Sequence, residues 1–280
     1  MPRTKSNSRE RRRFMSSEES LERKEKSGIE KVLRPEIKHV IAVASGKGGV
    51  GKSSITALLA VGARREGFKV GILDADITGP SIPKMFGLKA AQGGRGFAPP
   101  ESKTGLKIMS LNLFLPNEDD PVIWRGPLIG GAIKQFWGDV DWGELDYLFI
   151  DLPPGTADAP LTVMQIIPLD GMVLVSSPQD LAVMVVKKAL KMAGMMNVPV
   201  LGLVENMSFL TCPHCGTKTE IFGPSKGKDV SSATGVPLIA TLPVDPKLAE
   251  YCDRGIVEEY DSLLFKKLIT VYDKHKQEVR

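Results

Sequence analysis

Cysteine is scarce in this sequence. There are three in 280 residues, too few for the disulfide framework of a secreted scaffold, and two of them stand together in one C-x-x-C. Both facts point to a reducing compartment and to metal or redox chemistry. Long apolar runs are also missing, so nothing reads as a membrane span. The N-terminus lacks the apolar core of a signal peptide, and its first 34 residues carry six acidic side chains, which argues against a mitochondrial presequence. A cytoplasmic protein without stable membrane association is expected. Strong charge of one sign is missing too. The net charge is +4, and the same 34 residues hold eleven Lys and Arg against those six acids. The basic character therefore belongs to the tail, and the domain is not read as a nucleic-acid binder.

What remains is ordinarily globular, with 42% apolar and 25% charged residues. The length suffices to bury a full core. Residues 1–35 are polar and charge-rich, with RERRR at 9–13, and cannot fold alone. They are expected to form a solvated tail, and residues 36–280 one α/β domain.

The rest is organised around residues 38–57, KHVIAVASGKGGVGKSSITA. A β-branched apolar run at 39–44 leads into a glycine turn and then into helix-compatible residues from Ser54 onward. Strand, glycine loop and helix are the context that makes G-x-x-x-x-G-K-[ST] a phosphate-binding loop. Glycines let backbone N–H groups converge on an anion, and the helix N-terminus adds its dipole. The candidate cradle is Gly46, Lys47, Gly48, Gly49, Val50, Gly51, Lys52, Ser53 and Ser54. Lys52 is expected on the β- and γ-phosphates of ATP and the Ser53 hydroxyl on Mg²⁺. From the bare pattern Lys47 is as readily a solvent-facing loop lysine as a ligand.

Buried strands then alternate with helices, at 69–74, 106–115, 147–151, 172–176, 198–206 and 237–242. That alternation predicts a doubly wound, mostly parallel sheet of about seven or eight strands flanked by helices, with ligands at the carboxyl ends of the strands. Asp74 and Asp76 fall at such an end and can orient water or hold metal-bound water. Asp151 ends a strand in YLFID, the Walker B pattern, where a carboxylate holds Mg²⁺ through water. Gly155 follows in LPPGT and can bring a backbone N–H to a γ-phosphate. Asn206 ends a later strand and its amide suits a purine edge, although a turn asparagine fits equally well. The last helix, 262–274, is amphipathic and basic; docking on the sheet is expected, with membrane-surface binding as the rival.

Cys212 and Cys215 stand in CPHCG, within a loop of about 205–223. Two thiolates three apart in a tight turn chelate one soft metal centre. A four-iron cluster or a structural zinc needs four ligands, which two chains would supply with one C-x-x-C each across a two-fold axis. A thioredoxin-like dithiol is a rival, but the TKTEIFG that follows is strand- or turn-like where that motif opens a helix. Cys252 reads as a buried small hydrophobe and His214 as a surface residue.

With GKGGVGKS (46–53), DADITGPSIP (74–83), DLPPGTADAPLT (151–162), ENMSF (205–209), CPHCG (212–216) and LPVDP (242–246) in this order, the chain closely resembles the Mrp/ApbC-type iron–sulfur cluster carrier ATPases, of the deviant Walker A class. The resemblance spans about residues 38–276. It implies a homodimer that binds ATP and Mg²⁺, holds a labile 4Fe–4S cluster between Cys212 and Cys215 of both chains, and passes it to apo-proteins with slow ATP hydrolysis. Carried over, Lys47 reaches the partner's nucleotide, Lys52 holds phosphates, Ser53 and Asp151 serve Mg²⁺, and Asp76 aligns the attacking water. Asn206 and the 242–246 loop, with Pro243 and Asp245, contact adenine. The chain lacks the four-cysteine N-terminal cluster of some eukaryotic relatives and the small acidic domain fused to many bacterial ones. Two other readings are a MinD-type positioning ATPase, in which CPHCG has no task, and a zinc-stabilised nucleotide-binding scaffold.

Overall fold

The computed structural model describes residues 32–76, 81–89, 98–110, 113, 126–156, 158–179 and 183–278, with backbone alone for 126–129 and 272–278. Residues 1–31 of the charged tail, Trp124, Arg125 and residues 180–182 lie outside these residues. In chain order the elements are β1 (Ile37–Ser45), α1 (Lys52–Arg65), β2 (Val70–Asp74), α2 (Ile82–Met85), β3 (Lys107–Ser110), α3 (Gly126–Gly138), β4 (Leu145–Asp151), α4 (Asp158–Ile166) and β5 (Gly171–Ser176). They continue with α5 (Val183–Met195), β6 (Val200–Glu205), β7 (Leu210–Thr211), β8 (Lys218–Thr219), α6 (Gly227–Thr234), β9 (Leu238–Thr241), α7 (Pro246–Asp253), a 3₁₀ turn at Val257–Glu259, and α8 (Leu264–Glu278).

Seven strands form one sheet in the order β3-β2-β4-β1-β5-β6-β9, and every pairing in it is parallel. β7 and β8 form a separate antiparallel hairpin. The main strands are buried on both faces, which is why they read as continuous apolar runs and not as alternating ones. Alternation still decides which side each residue serves. Along β1, Val40, Ala42 and Ala44 join one core with Trp137 and Trp142. Ile41 and Val43 join the other, with Leu59 and Phe265. α8 is docked there through Leu264, Phe265 and Leu268, all at most 2% exposed. These three residues dock the start of the helix on the domain, as expected of a docked helix.

β1 is the pivot. Its neighbours are β4 on one side and β5 on the other, so the connections after β1 and after β4 leave in opposite directions. That divergence opens a crevice at the carboxyl ends of the strands. Most elements shift by a few residues from the sequence-based bounds, and three of the shifts bear on the site. α1 begins at Lys52 and not at Ser54, because Gly51 supplies the left-handed N-cap (φ 84°). The described part of β3 ends at Ser110, and β6 ends at Glu205, leaving Asn206 in the loop.

Candidate functional site

The crevice gathers the carboxyl ends of β1, β2, β4 and β6. The phosphate loop joins β1 to α1, with residues 46–49 exposed and Val50 buried. Gly51 takes a φ that L side chains avoid, and a Cβ there would lie 2.3 Å from Nδ2 of Asn206. Glycine is therefore required twice over, for conformation and for room.

Lys52 turns inward from the first turn of α1 and is 6% exposed. Its Nζ lies 2.8 Å from Oδ2 of Asp151 and 3.3 Å from Oδ2 of Asp76. Ser53 Oγ donates to the same Asp151 oxygen at 2.6 Å, and Thr56 Oγ1 donates to Oδ1 at 2.8 Å. Thr56 is four residues on from Lys52 and three on from Ser53, so side chains from the first turns of α1 converge on one carboxylate. Asp151 is fully buried. Burial pushes its carboxyl above the usual range, against the pull of Lys52, Ser53 and Thr56. Asp74 lies beside it in register across β2 and β4. It accepts from Ser110 Oγ at 3.1 Å and from the Asp76 N–H at 3.2 Å. Burial first, and then the negative Asp151, push Asp74 well above the usual carboxylate range.

The outcome is a buried cluster in which Asp151 and Asp76 hold Lys52, with Asp74 beside Asp151. Ser53 Oγ and Asp151 Oδ2 offer adjacent hard oxygens, the donor type that Mg²⁺ takes. Gly155, after β4, donates its N–H to Ser45 O at 2.8 Å, so the LPPGT turn is tied to the end of β1 beside the phosphate loop. Lys47 stands exposed on the loop and Ser54 half-buried in α1.

On the other side, Asn206 Nδ2 donates to Val50 O at 3.0 Å, and its own N–H donates to Ser176 O at 2.7 Å. One amide hydrogen and the side-chain carbonyl are not used by those bonds. Pro243 and Asp245 are half-buried in the loop after β9. Asp245 accepts from the Lys247 N–H at 2.8 Å as the N-cap of α7, and from Tyr260 Oη at 2.6 Å. Each of its oxygens accepts one hydrogen bond inside the chain. Burial and Asp245 push the Tyr260 phenol up.

The cysteines sit at the tip of the β7–β8 hairpin. Cys212 is half-buried, Cys215 is exposed, and neither is in a disulfide. The tight turn is set by Cys212 N donating to Thr217 O and Gly216 N donating to Cys212 O, both at 2.9 Å. Cys215 Sγ lies 3.2 Å from Thr217 Oγ1, and that hydroxyl, with the Thr217 backbone, holds the Cys215 thiol below its ordinary range. A lowered thiol is a better metal ligand. Cys252 is buried in α7 and its thiol is pushed up by burial and Asp253. Among the described residues no group of three or more His, Cys, Asp or Glu side chains is placed to hold a metal ion. The hairpin offers two free thiols.

Sequence reasoning missed Thr56 and Glu205. Thr56 is signalled by its spacing from Lys52, and Glu205 by its place at the carboxyl end of a buried strand, the rule that singled out Asp74 and Asp151.

Comparison with known proteins bears on this arrangement. The family model described as ParA, NUBPL iron-transfer P-loop NTPase, matches residues 36–275. An iron–sulfur cluster carrier protein of Methanocaldococcus jannaschii is 50% identical over 79% of this chain and 77% of its own. One of Clostridium perfringens is 48% identical over 80% of this chain and 82% of its own. Among solved structures, a nucleotide-binding protein of Archaeoglobus fulgidus in complex with ADP, with Co found in it, is 47% identical. It superposes with a TM-score of 0.74 over 83% of this chain and 92% of its own. The septum site-determining protein MinD of Pyrococcus horikoshii, at 18% identity and a TM-score of 0.56 over 86% of this chain and 97% of its own, shares the fold.

Proposed function

The chain belongs to the NUBPL-type iron-transfer family of P-loop NTPases, and from that premise we propose that it is an ATP-hydrolysing carrier that takes up an iron–sulfur cluster and hands it to apo-proteins. The observation that carries the reading is the pairing, in one chain, of a Lys52–Asp151–Ser53 nucleotide centre with two free thiols on an exposed hairpin.

The nucleotide half works by exchange of partners. Lys52 is held between Asp151 and Asp76, and an incoming triphosphate competes for its ammonium. Ser53 and Asp151 are the residues that hold Mg²⁺, Asp151 through water. The ion, when bound, neutralises charge on the phosphates. Asp76, relieved of Lys52, orients the attacking water. The Gly155 N–H reaches the γ-phosphate by giving up its bond to Ser45 O. A turn with two available acceptors is a two-state element set by the nucleotide. Lys47 on the exposed loop reaches the nucleotide of a second copy, and Asn206 with the 242–246 backbone takes the adenine.

The cargo is a 4Fe–4S cluster held by Cys212 and Cys215 of two chains, since one chain supplies half of the thiolates required. Exposure of Cys215 lets an acceptor's thiolates displace it. The protein works as a homodimer in the cytoplasm, where reducing conditions keep both thiols free, on residues 36–280, with 1–35 as a solvated tail. A MinD-type membrane switch is disfavoured because Leu264, Phe265 and Leu268 of α8 are buried in the core. The test is transfer to an apo-ferredoxin-type acceptor from reconstituted protein. Holoacceptor is expected from wild type, at an ATP-dependent rate, and none from Cys215→Ala. A loaded protein that gives no transfer overturns the reading.

A further inference from the structure

The cysteine hairpin is part of an excursion, residues 209–224, that leaves the sheet after β6 and returns just before α6. Both of its feet meet at one side chain. Glu205 closes β6 and is fully buried. On the entry foot, Ser208 Oγ donates to its Oε2 at 3.0 Å. On the exit foot, Ser225 Oγ donates to the same oxygen in a short bond. The N–H groups of Lys226 and Gly227 donate to Oε1 at 2.8 and 3.1 Å. The carboxylate therefore lies at the N-terminus of α6, where the helix dipole favours negative charge. Gly227 makes room for it: a Cβ there would lie 3.4 Å from Oε2 and 2.9 Å from Leu238 Cδ1. The next residue, Asn206, holds the phosphate loop through Val50 O.

We propose that Glu205 is the positioning residue of the cysteine arm: by taking four hydrogen bonds from its two feet, it fixes where Cys212 and Cys215 stand relative to the nucleotide loop. The proposal rests on the reading of those thiols as cluster ligands. Closing the base of a loop restricts its tip, and two chains can join their half-sites only if both tips are presented in one geometry. Hydrogen bonds to a charged acceptor are the strong kind, each worth roughly twice a neutral one. A dry carboxylate with four donors is thus a stiff staple.

The test uses the full chain. Glu205→Ala removes the staple, Glu205→Gln keeps its shape, and the double variant Ser208→Ala with Ser225→Ala loosens both feet while leaving the buried carboxylate its two backbone donors. The readouts are amide hydrogen exchange over 209–224 in metal-free protein, the rate of iron loss after anaerobic reconstitution, and ADP binding. The double variant is expected to bind ADP as wild type does. Its exchange rises within the arm alone, and it loses iron faster by on the order of tenfold, what one charged hydrogen bond is worth. Glu205→Gln stays near wild type, and Glu205→Ala exceeds the double variant or fails to fold. Unchanged exchange over the arm in a folded double variant overturns the proposal, as does exchange raised evenly through the domain. If wild type holds no iron at all, the cluster reading fails, while the exchange measurement still decides whether Glu205 staples the arm.

Discussion

The side-chain amide of Asn206 donates to the carbonyl of Val50 at 3.0 Å, and so joins the segment that leads to the cysteines directly to the phosphate loop. Cys212 follows this asparagine six positions along the chain. On the way, Ser208 N donates to Leu242 O and Val244 N to Phe209 O, at 2.8 and 2.7 Å. The segment is thereby stitched to the loop proposed to seat the base. Nucleotide and cysteine sites share a short, hydrogen-bonded piece of backbone.

Replacing Asn206 by Ala leaves the Val50 carbonyl without this partner in a buried place, a loss of about 1–3 kcal/mol. Nucleotide affinity is expected to fall roughly tenfold or more, measured by titration calorimetry with ADP. The fold itself holds, because the Asn206 N–H still donates to Ser176 O.

Lys52→Met removes the cation from between Asp151 and Asp76. ATP hydrolysis is expected to drop below detection. Burying Asp151 without its partner also costs stability, about 3–5 kcal/mol on the scale of broken buried pairs. A denaturant titration beside a phosphate-release assay checks both.

Asp74 gives a pH dependence of definite sign. Its carboxyl is raised by burial and by Asp151, so the folded protein binds its proton more tightly than the unfolded chain does. The stability this contributes is full below the unfolded value of about 4 and is lost as pH rises toward the folded value. Asp74→Asn, which keeps an acceptor for the Asp76 N–H, is expected to be more stable than wild type near pH 7. That advantage shrinks as pH falls to about 4. Unfolding midpoints across that range test it.

Each of Cys212→Ala and Cys215→Ala is expected to abolish iron binding and leave ADP binding intact. Cys252→Ala leaves iron content at the wild-type level, since that thiol is 9% exposed within α7. Iron analysis after anaerobic reconstitution separates the three.

Phe265→Ala empties a site packed by Phe68, Tyr147 and Phe149 and is expected to cost about 3–5 kcal/mol. Loss of α8 from the sheet then follows, seen as a lower thermal midpoint.

The sequence made some of this legible and hid the rest for identifiable reasons. The phosphate loop, Asp151 and the C-x-x-C pair are local patterns, in which residue type and spacing carry the chemistry; the first two stand at the carboxyl edge of the sheet and the third on the separate β7–β8 hairpin. Continuous apolar runs announced parallel buried strands, and among the described residues the main sheet has seven, all paired in parallel. The start of α1 at Lys52 was hidden because a glycine in the left-handed region caps it, where the usual polar cap is missing. The double duty of Asp245 toward Lys247 and Tyr260, and the four bonds of Glu205, join residues from 2 to 22 positions apart. Only the folded chain brings the longer of these together.

The central claim is that one chain owns half of a cluster site. Iron and sulfide content per chain, measured on anaerobically reconstituted protein together with its mass in solution, tests this most directly. About two irons and two sulfides per chain in a dimer is the expected result, since a four-iron cluster divides between two chains. A monomer carrying about four of each, or a dimer carrying stoichiometric zinc and no sulfide, contradicts it.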